Sequence, residues 1–149
     1  MERGEIMDKK EVILAVLAAA DGAIHTPVQV QKILFLIDKK ISNLIGGPYF
    51  NFTPYAYGPF DVEIYHLLEN LAQEENVEII SNPNLRWAKY RLTIKGQKKG
   101  EEILNAMEAK VADYIKKLSS FIRSLSFAEL ISVIYNEFPE MKVNSVFKS

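Results

Sequence analysis

The sequence predicts an α+β fold that is mainly helical and contains one small β-hairpin. Apolar residues recur every three to four positions over most of the chain, which is the period of amphipathic helices. Two strand-like runs, 77–81 and 87–93, flank the turn-forming residues Asn82-Pro83-Asn84, a pattern typical of a hairpin. The chain has 149 residues, about one domain's worth, so we expect a single domain over 1–149.

Two helices are predicted at the start of the chain. The first begins at Asp8, because Glu11 three residues later completes a capping box before an apolar-periodic run. The second begins after Thr26, where a capping residue precedes Pro27 at the first helical position. Its apolar period continues to about Leu44, so this helix is expected to be buried over a wide face.

The remaining elements follow from similar signals. The aromatic segment 49–57 is predicted to form a short edge strand and a turn. A third helix is predicted to begin near Pro59, before the hairpin. After the hairpin we expect one long amphipathic helix over about 95–122 and a last helix over about 126–138.

Three helices followed by a hairpin is the element order of a winged-helix domain. We therefore expect a winged-helix-like core over about 8–93 and a C-terminal helical extension over about 95–149. The long helix predicted in that extension exceeds what a minimal winged domain needs. Such extensions often form the two-fold interface of a dimer, so a homodimer is one expectation.

Composition narrows the function. The chain contains no cysteine and two histidines, so thiolate chemistry is absent and metal ligands are few, and neither a metal nor a cofactor is expected. There is no Gly-rich phosphate loop, HExxH motif or nucleophile elbow, so we do not expect an enzyme. No signal-peptide core or membrane-spanning stretch is present, which leads us to expect a cytoplasmic protein without membrane contact.

The predicted third helix is acidic. Between Pro59 and Glu78 there are six acidic residues and no lysine or arginine, a charge that would repel a nucleic-acid duplex. The alternatives are a solvated acidic face and a surface that contacts a protein through the acids and the neighbouring tyrosines. The residues predicted to contact a protein partner are Tyr55, Tyr57, Asp61, Glu63, His66 and Glu69.

The hairpin and the start of the next helix have the opposite charge, since no acid lies between Ile79 and Gly100. Strand alternation places Trp87, Lys89 and Arg91 on the face away from the core. They could contact phosphates and stack on an unpaired base, form a solvated hairpin, or contact a protein. The residues predicted for nucleic-acid contact are Arg86, Trp87, Lys89, Arg91, Lys95, Lys98 and Lys99.

The chain also contains a set of short motifs in a fixed order: VQKILFLI at 30–37, AYGPF at 56–60, IYHLL at 64–68 and YRLT at 90–93. Their order and spacing resemble the Panacea family, the SocA-type antitoxin domains. The closing segment 135–145 is similar to the tails of related small phage and bacterial proteins. The resemblance implies a protein that binds a toxin-like or adaptor partner, neutralising a toxin or presenting it to a protease. The alternative from the residues alone is a nucleic-acid-binding regulator that uses the basic hairpin.

Overall fold

A computed structural model describes residues 7–147 of the chain, and the class predicted from the sequence, α+β and mainly helical, is confirmed. The helices are α1 (Lys9–Ala18), α2 (Pro27–Lys40), α3 (Glu63–Gln73), α4 (Ile94–Asn105), α5 (Ala109–Ser124) and α6 (Phe127–Glu137). The strands are β1 (Thr53–Tyr55), β2 (Gly58–Phe60), β3 (Val77–Ile80) and β4 (Lys89–Leu92). Single 3₁₀ turns occupy Ser42–Leu44 and Pro139–Lys142.

Side-chain caps fix the predicted helix starts. The Asp8 carboxylate accepts a hydrogen bond from the backbone N–H of Glu11 at 2.8 Å, and Ser126 Oγ accepts one from Glu129 N–H at 3.1 Å. Thr26 caps α2 in the same way. Each cap satisfies a backbone donor that the first turn of a helix leaves unpaired, and this is why these boundaries are readable from the sequence.

The single long helix predicted over 95–122 is wrong, because the chain forms two helices there. Glu108 leaves the helical region with ψ at 139°, and the break separates α4 from α5. The two halves pack against different partners, α4 against α1 and α5 against α2. Both halves bury apolar residues, and these residues keep the same three-to-four spacing along the sequence across the break. The spacing therefore gives no sign that the helix is interrupted.

The third helix begins later than predicted. Residues around Pro59 form β2, which pairs antiparallel with β1 in the register Thr53 with Phe60, and α3 starts only at Glu63. The carboxylate of Asp61 accepts a hydrogen bond from the Glu63 N–H at 2.9 Å and so caps the helix from two residues earlier. The strand predicted within 49–57 is thus one half of a second hairpin.

The predicted basic hairpin is present as β3 and β4, with Val77 opposite Leu92. Just before α2, His25 adds a bridge to this hairpin through two backbone hydrogen bonds with Tyr90, of 2.8 and 2.9 Å. The His25 side chain is buried, and neither ring nitrogen has a hydrogen-bond partner in the part of the chain described. Burial, and secondarily the charge of Arg123, lower its pKa to about 4, so the ring is neutral at pH 7.

One hydrophobic core joins the helices. Residues 12–18 of α1 and 30–37 of α2 are buried throughout, and α5 and α6 add residues such as Ile115, Ile122 and Ile134 to the same cluster. The segment after residue 95, predicted as an extension, therefore shares the core of the preceding part. The homodimer prediction was based on one long helix over 95–122, and the chain forms α4 and α5 there instead. No helix within 7–147 is long and apolar enough to cross a membrane.

Candidate functional site

Two adjacent residues of α2 hold the β1–β2 hairpin in place. The Gln31 side-chain amide pairs with the backbone of Asp61, donating to its carbonyl and accepting from its N–H, both at 3.0 Å. Lys32 Nζ donates to the carbonyl of Pro59 at 3.0 Å. The Gln-Lys and Gly-Pro motifs noted in the sequence are thus in direct contact, and their contact fixes the hairpin against α2.

Lys32 lies in a closed environment. The residue is 3% exposed and has no carboxylate partner in residues 7–147, and burial lowers its pKa from 10.5 to about 7. A Cβ added at Gly58, which has φ of +100°, would lie 3.6 Å from Lys32 Cε and 3.3 Å from the Tyr135 ring. The Tyr135 hydroxyl is buried, and no group in residues 7–147 hydrogen-bonds it. This tightly packed cluster supports the hairpin from inside.

Aromatic rings form a row from the outer surface of the hairpin to the core. Tyr55 stacks on Phe60 with 5.1 Å between ring centroids, and Phe60 contacts Tyr65 at 5.6 Å. Tyr65 in turn stacks on the buried Tyr90 at 6.4 Å. Tyr55 is 59% exposed. Tyr65 is enclosed instead, and this burial is the largest cause that raises the pKa of its hydroxyl to about 12. The row therefore presents a supported tyrosine ring to solvent.

Three exposed residues of the α3 region flank this row. Val62, His66 and Glu69 follow the helical spacing i, i+4, i+7 and so lie on one stripe beside Tyr65. Glu69 makes no ion pair with any residue in 7–147. We call the set the hairpin–α3 surface, and its members are Tyr55, Phe60, Val62, Tyr65, His66 and Glu69.

The other three residues predicted for protein contact are each held by contacts with neighbouring residues of the chain. Asp61 is 8% exposed, and its carboxylate also accepts a hydrogen bond from the Asn51 N–H at 2.9 Å, so it is not part of an exposed acidic face. Glu63 pairs with Lys9 of α1. Tyr57 packs edge-on against Phe127 at 5.2 Å, on α6. Of the six predicted residues, Tyr55, His66 and Glu69 belong to the hairpin–α3 surface.

The residues predicted for nucleic-acid contact are divided among different surroundings. Arg91 Nη2 bonds Glu78 Oε1 at 2.7 Å across the β3–β4 hairpin. Lys95 Nζ donates to the backbone carbonyl of Glu74 at 2.8 Å, and Lys99 lies beside the Glu74 carboxylate on the α1 side. Two of the seven predicted residues, Arg91 and Lys95, are therefore bonded within the chain.

The other residues predicted for nucleic-acid contact lie in the β3–β4 loop, on β4 or on α4. The Arg86 guanidinium lies 4.7 Å from the Trp87 ring centroid, and Trp87 is 53% exposed. Lys89 is half-buried on β4, and Lys98 is exposed on α4. Within the set, Arg86 and Trp87 contact each other, whereas the sequence placed Trp87 beside Lys89 and Arg91.

Two features were not predicted from the sequence. One is the buried contact of Gln31 and Lys32 with the β1–β2 hairpin, whose signal is two polar residues inside an otherwise apolar helical run. The other is a groove of about 540 Å³ between α1, α3 and α4, which has no local sequence signal because three distant segments form it. No cluster of three or more His, Asp or Glu side chains in residues 7–147 is arranged to hold a metal ion.

A comparison with protein-family models finds no family that matches the chain, and a comparison with curated proteins finds no significantly similar sequence.

Proposed function

We propose that the chain is a non-catalytic protein-binding module that contacts a toxin-like or adaptor partner through the hairpin–α3 surface. The observation that carries this proposal is Tyr55, a large aromatic side chain that is 59% exposed at the outer end of a stacked row. Tyrosine combines a large apolar ring with a polar hydroxyl, and it is enriched at protein interfaces for that reason.

Preorganisation favours this surface as a binding site. The Tyr55 ring is held by Phe60, and Phe60 by Tyr65, so little side-chain freedom remains to be lost on binding. The hairpin backbone beneath them is held by the hydrogen bonds of Gln31 and Lys32. A rigid aromatic ring on a rigid support is the arrangement that interface hot spots use.

Charge at the edge of the surface gives the partner a preferred chemistry. Glu69 has no cation to neutralise it in residues 7–147, and His66 lies one turn away on the same stripe. The faces of exposed tyrosine rings also attract cations. A partner segment that carries lysine or arginine beside an apolar residue would complement both features, with the charges setting specificity more than affinity.

The winged-helix-like core is part of the same proposal. Its support is the order α1, α2, α3, β3, β4 together with the bridge between His25 and Tyr90, which ties the start of α2 to the second hairpin. The β1–β2 hairpin is inserted between α2 and α3. It brings aromatic residues beside the helix that a DNA-binding winged helix would present to the major groove.

Nucleic-acid binding is the second candidate, and one observation favours it. Arg86 and Trp87 form an exposed stacked pair at the loop of the β3–β4 hairpin, the arrangement of side chains that stack on unpaired bases. The pairing of Arg91 with Glu78 lowers the charge available to phosphates beside it. We therefore rank this function below protein binding.

Capture from a lysate of the source organism distinguishes the two functions. The tagged chain is expected to retain a protein in defined stoichiometry, with the same recovery before and after nuclease treatment. Recovery should change little with salt, since polyanion binding weakens steeply as counterions are added, whereas an interface centred on aromatic packing does not. Enrichment of nuclease-sensitive, salt-sensitive DNA or RNA alone would instead assign the function to Arg86 and Trp87.

A further inference from the structure

The C-terminal segment lies along one edge of the β1–β2 hairpin. Within residues 7–147, β1 and β2 form a two-stranded sheet, so β1 has an edge that pairs with no other strand. Asn144 Nδ2 donates to the Pro54 carbonyl at 3.2 Å, and the Val146 N–H donates to the Ala56 carbonyl at 2.9 Å. We call residues 144–147 the strap.

The strap binds the hairpin in the way that an added strand binds a sheet edge. Such a strand is held by main-chain hydrogen bonds, while contacts of its side chains give specificity. The Val146 N–H supplies a main-chain bond, and the Phe147 ring contacts Phe127 of α6 at 6.0 Å. Phe127 in turn contacts Tyr57 at the tip of the hairpin. The strap therefore occupies the edge as an internal ligand.

Few contacts hold the strap in place. Val146, and Val143 just before the strap, are 61% and 73% exposed, so their apolar side chains gain little by burial. Ser145 Oγ is 3.4 Å from the Ala56 carbonyl, and its shorter bond, at 3.0 Å from the Phe147 N–H, lies within the strap itself. Segments with little burial open locally at a small cost in free energy. Opening of the strap therefore costs far less than unfolding of the core.

The edge adjoins the ring that carries the proposed function. Tyr55 lies between Pro54 and Ala56, whose carbonyls the strap bonds. Side chains of an added strand lie beside those of the strand with which it pairs. A segment on this edge would therefore also reach the exposed Tyr55 ring.

We propose that the strap is a displaceable internal ligand, and that the protein partner replaces it with an extended segment of the same chemistry. That segment presents a backbone N–H to the Ala56 carbonyl and an aromatic side chain to Phe127. It competes with a tethered strap whose effective concentration is on the order of millimolar, so partner binding is autoinhibited. The existence of a partner rests on the proposed function, whereas the edge and its occupant are tested with a peptide alone.

The probe is a synthetic peptide, capped at both ends, with the sequence of residues 142–147, KVNSVF. It is titrated into the uniformly ¹⁵N-labelled full chain and into the Phe147→Ser variant, which loses the ring contact with Phe127. We expect the peptide to shift the amide resonances of Ala56 and Tyr57 in a saturable manner in NMR spectra. It should bind the variant roughly tenfold more tightly than the unaltered chain, because a weakened strap competes less.

Matched variants control for unrelated effects. Val143→Ser replaces an exposed apolar side chain just before the strap, so this variant should bind the peptide as weakly as the unaltered chain does. Asn144→Ala removes the bond to the Pro54 carbonyl and should tighten peptide binding by a smaller factor than Phe147→Ser does. A peptide with serine in place of its phenylalanine should bind none of these chains. Thermal unfolding of each variant checks that the core is intact.

The same variants test the role of the partner. In capture experiments Phe147→Ser should retain more of the partner than the unaltered chain, and an excess of the KVNSVF peptide should release it. The proposal is overturned if the peptide shifts no hairpin resonance at millimolar concentration, or if it binds Phe147→Ser and Val143→Ser equally. Equal or lower retention of the partner by Phe147→Ser would also overturn it. Failure of every chain to capture a protein would contradict the proposed function, and the peptide titration would still decide whether the strap is displaceable.

Discussion

The free energy of unfolding is expected to rise with pH by about 4 kcal/mol between pH 7 and pH 10.5 because of Lys32 alone. In the unfolded chain its amine keeps its proton up to pH 10.5, whereas in the fold burial lowers the pKa to about 7. Between these two values the unfolded state binds more protons, so stability increases with pH. Well below pH 7 the fold carries the full cost of a buried ammonium group that has no carboxylate partner in residues 7–147.

Replacing this side chain isolates the effect. Lys32→Met removes the buried amine at nearly constant length but also removes the hydrogen bond to the Pro59 carbonyl. At pH 7 the variant should therefore be more stable than the unaltered chain by about 2 kcal/mol, and this difference should reverse, so that the variant is less stable by about 2 kcal/mol at pH 10.5. Urea unfolding across that pH range measures both quantities.

Lys116→Met is the matched control, because Lys116 is exposed on α5 and the same substitution there should leave the pH dependence unchanged. Parallel stability curves for Lys32→Met and the unaltered chain would show that the Lys32 pKa is ordinary in the fold. The Lys32 side chain would then be more exposed to solvent than its burial between α2 and the β1–β2 hairpin indicates.

Gly96→Ala is expected to lower the free energy of unfolding by more than about 3 kcal/mol. A Cβ at this position would lie 1.9 Å from the backbone carbonyl oxygen of Asn76, a contact that no side-chain rotation can relieve. The first turn of α4 would have to move away from the end of α3. This movement would also disturb the bond between the Gly96 N–H and Thr93 Oγ1, which caps α4.

Thermal and urea unfolding measure this loss, with Lys98→Ala as the control. Lys98 is two residues further along α4 and exposed, so its replacement by the same residue should change stability by less than about 0.5 kcal/mol. A Gly96→Ala variant as stable as Lys98→Ala would mean that α4 does not lie against Asn76 as described.

Local signals account for the parts of the fold that the sequence predicts well. The capping box of Asp8 and Glu11 lies within one turn of helix, and β3 and β4 are consecutive strands joined by the loop 81–88. Both depend on residues that are close along the chain. The exposed positions of Tyr55 and Trp87 follow similarly from short strands and turns.

Interactions between distant segments account for the rest. The break before α5 depends on which helices each half packs against, and the apolar period is the same with or without it. Asp61 appears in the sequence as part of an acidic helix face, but its backbone is held by Gln31, thirty positions earlier. A pattern that counts residue types cannot distinguish a carboxylate that caps a helix internally from one that faces a partner.

The binding proposal is tested most directly by measuring how much of the protein partner the Tyr55→Ser variant captures. Tyr55 is exposed and its ring contacts Phe60 at the surface, so the variant should fold while losing most of the captured partner. Trp87→Ser, which removes an equally exposed aromatic ring from the other hairpin, should retain the partner at the level of the unaltered chain. Retention by Tyr55→Ser and loss by Trp87→Ser would contradict the hairpin–α3 surface as the binding site and place it on the basic hairpin.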